Sequence, residues 1–368
     1  MKRIIAQVRK ELTQTVRDRL TLTLALVLPL ILLILFGTAI SFSVKGLPVV
    51  VQDLDRTPLS RKYIDALNAS FTFKVVSSAL QNQPEDSLLS EQARAAVIIP
   101  EHFEREVTRG RTAEIQWLID ATDANTANVM RGNAAAITQA FASQNGIVSM
   151  KPAIDVEMRM WYNPGRESSK YIGPGVLAVV LGLFPPLLAA LATSREGEQK
   201  TILQVYVSSI SAREYLLGKI LAFFLIALTE WLLSLIVAMT FFGLRFAGDP
   251  TPFLVGTLVY LFCNVTFGTM VGAAIPNQAT AIQPVAVFGF LFSFLLSGFI
   301  FPISNIPPGL RWISGIVPAR YFIEITRDAF VRGGGWPAVW HAPLMLGLLS
   351  AILFFVAWRN MRHMQVQA

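Results

Sequence analysis

Charge is scarce in this sequence. Asp, Glu, Lys and Arg make up 15% of its 368 residues, where soluble domains carry about 25%. Hydrophobic residues make up 53%, and mean hydropathy is +0.52. One soluble core cannot hold that surplus, and the apolar residues run in blocks. Cysteine is nearly absent: Cys263 is the single one, which excludes a disulfide within the chain. His102, His341 and His363 stand far apart, so neither a zinc cluster nor a His-based catalytic site is expected. A phosphate-binding loop is missing too. The Gly218–Lys219 pair is followed by Ile220 and lacks the upstream glycine, leaving no evident means of hydrolysing ATP. No G-x-S-x-G or H-E-x-x-H motif occurs, so no catalytic residue is assigned and an enzyme is not expected.

What is present is a set of long uncharged stretches. Leu20–Val44 has no charged residue. Twenty-five residues exceed what a hydrocarbon core of about 30 Å requires. A signal peptide is the competing reading, but its apolar region would be shorter and its basic region would not run to 19 residues. Tyr171–Ser194 is the second stretch; Pro174, Pro185 and Pro186 predict a kinked or partly unwound helix. Ile220–Leu244 is the third, interrupted by Glu230. Between Asp249 and Arg311 no charge occurs, room for two spans near 253–275 and 282–301 with a turn at Pro276–Asn277. A last span falls near 341–358, with Trp336, Trp340 and Trp358 as interfacial anchors.

The net charge of +7 gathers beside these stretches rather than in segment 45–170, which holds 14 Lys/Arg against 15 Asp/Glu. Nucleic acid is therefore not an expected partner; membrane lipid is. With the N-terminus inside, the inner tails and short loops hold 12 Lys/Arg and the short outer loops 5. The positive-inside rule then puts both termini in the cytoplasm. Residues 1–19 form an amphipathic helix with Ile4, Val8, Leu12 and Val16 at spacings of four, suited to the membrane surface or to a partner.

Segment 45–170 reads as a compact α/β domain. Strands are expected at Leu47–Gln52, Phe71–Val76, Ala95–Ile99, Glu114–Ile119 and Ile154–Trp161, with helical patterns between them, one capped by Thr57 with Pro58 at its first position. The expected fold class is thus a polytopic α-helical membrane protein. It has six transmembrane helices and an extracytoplasmic α/β domain between the first and second. The domains run 1–19 (cytoplasmic helix), 20–44 (first span), 45–170 (outer domain) and 171–368 (spans two to six). The last part includes a cytoplasmic loop at 195–219 and an outer re-entrant segment at 302–335.

Few residues carry candidate chemistry. Asp53 and Asp55 fit either a carboxylate site or, more simply, turn formation before a helix. Glu230 is the one acidic residue inside a span, and it shares a helical face with Ala227, Ser234 and Ala238. Small residues mark close helix packing. Glu230 with Ser234 is therefore a candidate substrate-pathway pair; the alternatives are a proton-coupling group or a buried interhelical hydrogen bond. No metal ligands are assigned.

The outer stretch LSGFIFPISNIPPGLRWISGIVPARYFIEITRDAFVRGG closely resembles the hallmark of the type-2 ABC exporter permease family. The inner segment SREGEQKTILQVYVSSISAREYLLGK resembles that family's coupling loop, and D-L-D-R-T-P-L-S-R after the first span is similar to members with a large outer domain. Arg195, Glu196, Thr201, Gln204, Val207, Ser208 and Leu216–Lys219 keep the loop's pattern; Lys200, Leu203 and Ser209 depart from its glycine, acidic residue and proline. The resemblance implies a permease subunit of an exporter of drugs or other small amphipathic molecules, in a bacterial inner membrane. It implies a second permease subunit, identical or not, and separate ATPase subunits that carry ATP and Mg; this chain itself holds no cofactor. A periplasmic adaptor protein is a further implied partner. Arg195, Glu196, Glu198, Thr201, Gln204 and Val207 are the expected coupling-loop residues. An ion-coupled transporter using Glu230 and a membrane sensor with an outer ligand-binding domain stand as alternatives.

Overall fold

The computed structural model describes residues 1–39, 46–77, 87–88, 92–120, 124–147, 168–201 and 210–362. They form two compact units: Met1–Ser41 with Met160–Ala368, and Phe42–Arg159. The first unit opens with α1 (Lys2–Arg17) and α2 (Arg19–Ala39). Asp18 at their junction accepts from the Thr21 backbone at 3.2 Å and hydroxyl at 2.9 Å, which caps the start of α2. α2 is uncharged after Arg19 and packs on two later spans.

The second unit is an α/β fold. β1 (Leu47–Asp53), α3 (Pro58–Asn68), β2 (Phe73–Ser77), β3 (Ala95–Ile99), α4 (Phe103–Thr108), β4 (Gln116–Ile119) and α5 (Ala124–Gln144) follow in order. The sheet order is β2-β1-β3-β4. β1 pairs in parallel with both neighbours, and β3 with β4 is antiparallel. Val49, Val50 and Val51 are all buried, as a central parallel strand demands. Tyr63 packs edge-on against Phe141 and bonds the Thr138 hydroxyl at 2.7 Å, joining α3 to α5. The expected strand at Ile154–Trp161 lies outside the described residues.

The first unit resumes with α6 (Ser168–Glu198), α7 (Ala212–Thr240) and α8 (Thr251–Ala274). α9 (Gln278–Ala286) continues through a π-helical turn, Val287–Phe292, to Ser293–Leu295. α10 (Pro308–Ser314), α11 (Pro318–Arg327), α12 (Trp336–Val339) and α13 (His341–Met361) complete it. Among the described residues, six helices are long and apolar enough to cross a membrane: Thr21–Thr38, Tyr171–Glu198, Ala212–Thr240, Thr251–Ala274, Gln278–Leu295 and His341–Met361.

α6 is helical throughout despite three internal prolines, so the expected partial unwinding is not seen. The reason is a neighbour. Pro185 has no N–H, which frees the carbonyl four residues back at Leu181. Asn264 on α8 donates to that carbonyl at 3.3 Å, and Tyr260 donates to Ala178 O at 2.7 Å. The close approach needs glycine: a Cβ on Gly268 would sit 2.0 Å from Pro186 O, and one on Gly272 2.4 Å from Ala190 O. Two small residues four apart are a membrane helix-packing device.

Segment 302–335 folds into this core rather than lying apart from it. Phe322 is buried on α11 and stacks on Tyr260 with centroids 4.2 Å apart. Arg327 donates to Gly298 O and Phe299 O at 2.9 and 3.1 Å. The Asp328 carboxylate accepts from the Gly334 and Gly335 backbones, which closes the glycine turn before α12.

Candidate functional site

Where α6 ends and α7 begins, charged residues are buried together with α1. Lys219 is wholly buried; its Nζ lies 3.2 Å from Glu11 Oε2 and 3.3 Å from Glu196 Oε2, and it donates to Ala192 O at 3.3 Å. Glu196 also accepts from Lys10 and from the Tyr215 hydroxyl. Gln7 donates to Glu11 at 2.9 Å, and Lys10 lies 3.4 Å from the same carboxylate. Two lysines therefore face two glutamates, with each carboxylate further hydrogen-bonded. Burying such charges is tolerable only with partners in place, and removing one partner costs about 3–5 kcal/mol. Burial alone would lower the Lys10 pKa, but the hydrogen bond and charge of Glu196, then the charge of Glu11, outweigh it and raise it above the ordinary lysine value.

α1 reaches this place by its polar side. Ile4, Val8 and Leu12 are half-buried and Val16 is exposed, while Gln7, Glu11 and Thr15 are buried. Gly218 permits the approach, since a Cβ there would meet Gln7 Cγ at 2.6 Å. Lys219, Glu11 and Tyr215 were not among the expected site residues. The available signal was the unbroken polar spacing Gln7, Glu11, Thr15, which reads equally well as a solvent face.

The expected coupling residues separate into two groups. Arg195, half-exposed, pairs with Asp18 at 3.3 Å. Backbone and side-chain hydrogen bonds from Thr21, and then Arg195, hold the Asp18 carboxyl below the usual aspartate range. Glu198 is exposed and accepts from Gln278 Nε2 at 2.8 Å, linking the end of α6 to the start of α9. Thr201 is exposed and donates to Glu196 O at 3.3 Å. Glu196, by contrast, faces inward. Gln204 and Val207 lie outside the described residues.

Glu230 lies deeper on α7. It is wholly buried, as are Ser234 and Ala238. Neither Glu230 carboxylate oxygen has a hydrogen-bond partner among the described residues, and nor has the Ser234 hydroxyl. Thr229 and Thr240 on the same helix do bond the carbonyls four residues back; Ser234 does not. The Asp53–Asp55 pair resolves differently. Asp53 accepts from the Asp55 and Arg56 backbones and from Ser60 at 2.7 Å, and Asp55 from the Glu104 backbone at 3.0 Å and the Thr57 hydroxyl at 2.5 Å. They are turn and cap formers, and no cluster of three metal-ligating residues occurs among the described residues.

Comparison with known proteins gives a consistent picture. A family profile described as "ABC-2 family transporter protein" matches residues 19–359. The chain is 28% identical to the "Probable multidrug ABC transporter permease YbhS" of Escherichia coli K12 over 96% of its own length and 94% of that protein. It is 24% identical to the "Probable multidrug ABC transporter permease YbhR" of the same strain, over 98% of each chain. It is 23% identical to that strain's "Inner membrane transport permease YhhJ", over 96% of this chain and 95% of the other.

Proposed function

We propose, for a chain that belongs to the ABC-2 transporter family, that it is the transmembrane permease subunit of an ATP-binding cassette exporter. It moves drugs or other small amphipathic molecules out of the cytoplasm. The relatives' names carry the multidrug reading and favour neither ion coupling nor a sensor. ATP and Mg belong to partner ATPase subunits, and a second permease subunit completes the pathway. The chain sits in a bacterial inner membrane with both termini in the cytoplasm and residues 45–170 outside, where a periplasmic adaptor can dock.

The observation that carries a coupling role is the buried cluster at the ends of α6 and α7. These two helices flank segment 202–209, the part of the expected coupling loop between them. Glu196, Lys219, Glu11 and Lys10 tie both ends to α1. An ATPase docked on the loop would displace both spans together, because neither end can move without stranding a buried charge. Arg195, Glu198 and Thr201 would meet the ATPase, and Glu196 would act behind them as a positioning residue. Glu230 and Ser234 line the substrate pathway.

Single cysteines test the docking. With Cys263 replaced by Ser, Val207→Cys should cross-link to the ATPase in the assembled complex, whereas a cysteine at Asn68 on α3 should not. Cross-linking from position 68 and none from 207 would overturn the docking site and the topology together.

A further inference from the structure

α7 packs against α1, α2, α6, α8 and α13. α1 meets its start, at Gly218 and Lys219, and the spanning stretches of the other four are uncharged. No Lys or Arg occurs in 20–39, 171–194, 251–274 or 342–358. The titratable groups these stretches do hold are Tyr171, Tyr260 and Cys263. Tyr171 and Tyr260 donate their hydroxyls to Phe299 O and Ala178 O, and Cys263 is a buried thiol. The only other charge on the Glu230 face of α7 is Lys219, about 16 Å away along the axis and already held by Glu11 and Glu196. No cation within the described residues is placed to answer the Glu230 carboxylate, and no donor satisfies it.

A cavity lies two helical turns from Glu230 along α7. It has a volume of about 100 Å³, at the α1 end of the unit, and is lined among others by Glu11, Asp18, Arg195, Leu188, Phe223 and Gln278. Phe223 and Glu230 are seven residues apart, two helical turns and so the same face of α7. The cavity lining combines two carboxylates and one guanidinium with the apolar Leu188, Leu191 and Phe223.

We infer that Glu230 and Ser234 form a binding site for an organic ammonium ion, reached from the cavity at Phe223. The carboxylate supplies the countercharge and two acceptors, and Ser234, one turn on, supplies a hydroxyl acceptor for a remaining N–H. Charge and hydrogen bonding that the chain leaves open are thus completed by the cargo. The inference rests on the permease reading and names its substrate class.

The test uses dansylcadaverine, a primary ammonium fluorophore, and its uncharged N-acetyl form. ATP-driven uptake is measured in inverted membrane vesicles containing the full permease and its ATPase. Probe binding is measured separately on the purified permease by dansyl fluorescence. Wild type should bind and take up the ammonium probe in preference to the acetylated one. Glu230→Gln should weaken the ammonium probe by about tenfold or more and leave the acetylated probe within about twofold. Glu230→Asp should keep part of the preference and so separates lost charge from lost folding. Equal effects on both probes, no effect on either, or a wild type that binds both equally would overturn the ammonium site. Absence of ATP-driven uptake beside intact, charge-selective binding would instead reject the exporter reading and keep the site.

Discussion

Lys219 and Glu230 stand on one face of the same helix, eleven residues apart, and both are wholly buried. The fold treats them in opposite ways. Lys219 has two carboxylates, a carbonyl and the Tyr215 ring around it. Glu230 has no hydrogen-bond partner among the described residues. A buried charge that is fully answered belongs to the structure; a buried polar group left open in a span is a candidate for function. On the proposed function, the difference would separate the part of α7 that transmits movement from the part that meets cargo.

The sharpest way to break the comparison is to remove the answered charge. Lys219→Met leaves Glu11 and Glu196 buried without their shared cation and should lower stability by about 3–5 kcal/mol. Denaturation of the purified permease measures this. Adding Glu196→Gln should restore part of the loss through a coupling of about 0.5–3 kcal/mol; strict additivity would count against a shared cluster.

A packing change nearby sets the scale for effects without charge. Gly268→Ala forces a methyl toward Pro186 O and should cost about 1–3 kcal/mol, read by the same denaturation. In the second unit, Asp53→Ala removes acceptors for two backbone amides and Ser60 and should cost about 1 kcal/mol. The smallest effect concerns pH. The Asp18 carboxyl is held below its ordinary range, so its contribution is present above that range and lost as pH falls through the lowered value. Asp18→Asn should flatten the acid limb of the stability profile slightly, and an unchanged limb would remove Asp18 from the account.

The spans were legible in the sequence because uncharged stretches of this length have few alternatives. The β1 and β3 strands were legible from their runs Leu47–Gln52 and Ala95–Ile99, where local pattern and burial agree. The partial unwinding expected as one form of the break in α6 is absent because its prolines act locally, while Asn264, which bonds the carbonyl that Pro185 frees, lies about 80 residues on. The charged cluster escaped for a related reason. Glu11 and Lys219 are 208 residues apart, and a polar stripe on α1 looks the same whether it faces water or two other helices. Glu230 was conspicuous because its neighbours in sequence carry no charge; that its carboxylate is unanswered is visible only in the packing.

Thermal unfolding of Glu230→Met beside Lys219→Met, in the same detergent, tests the central contrast most directly. Replacing an unanswered buried carboxyl by an apolar side chain of similar volume should hold or raise the melting temperature, and the variant should lose its preference for the ammonium probe. Lys219→Met should melt well below wild type. A Glu230→Met protein that melts as low as Lys219→Met, or that keeps the ammonium preference, would contradict the division of α7 into an answered end and an open one.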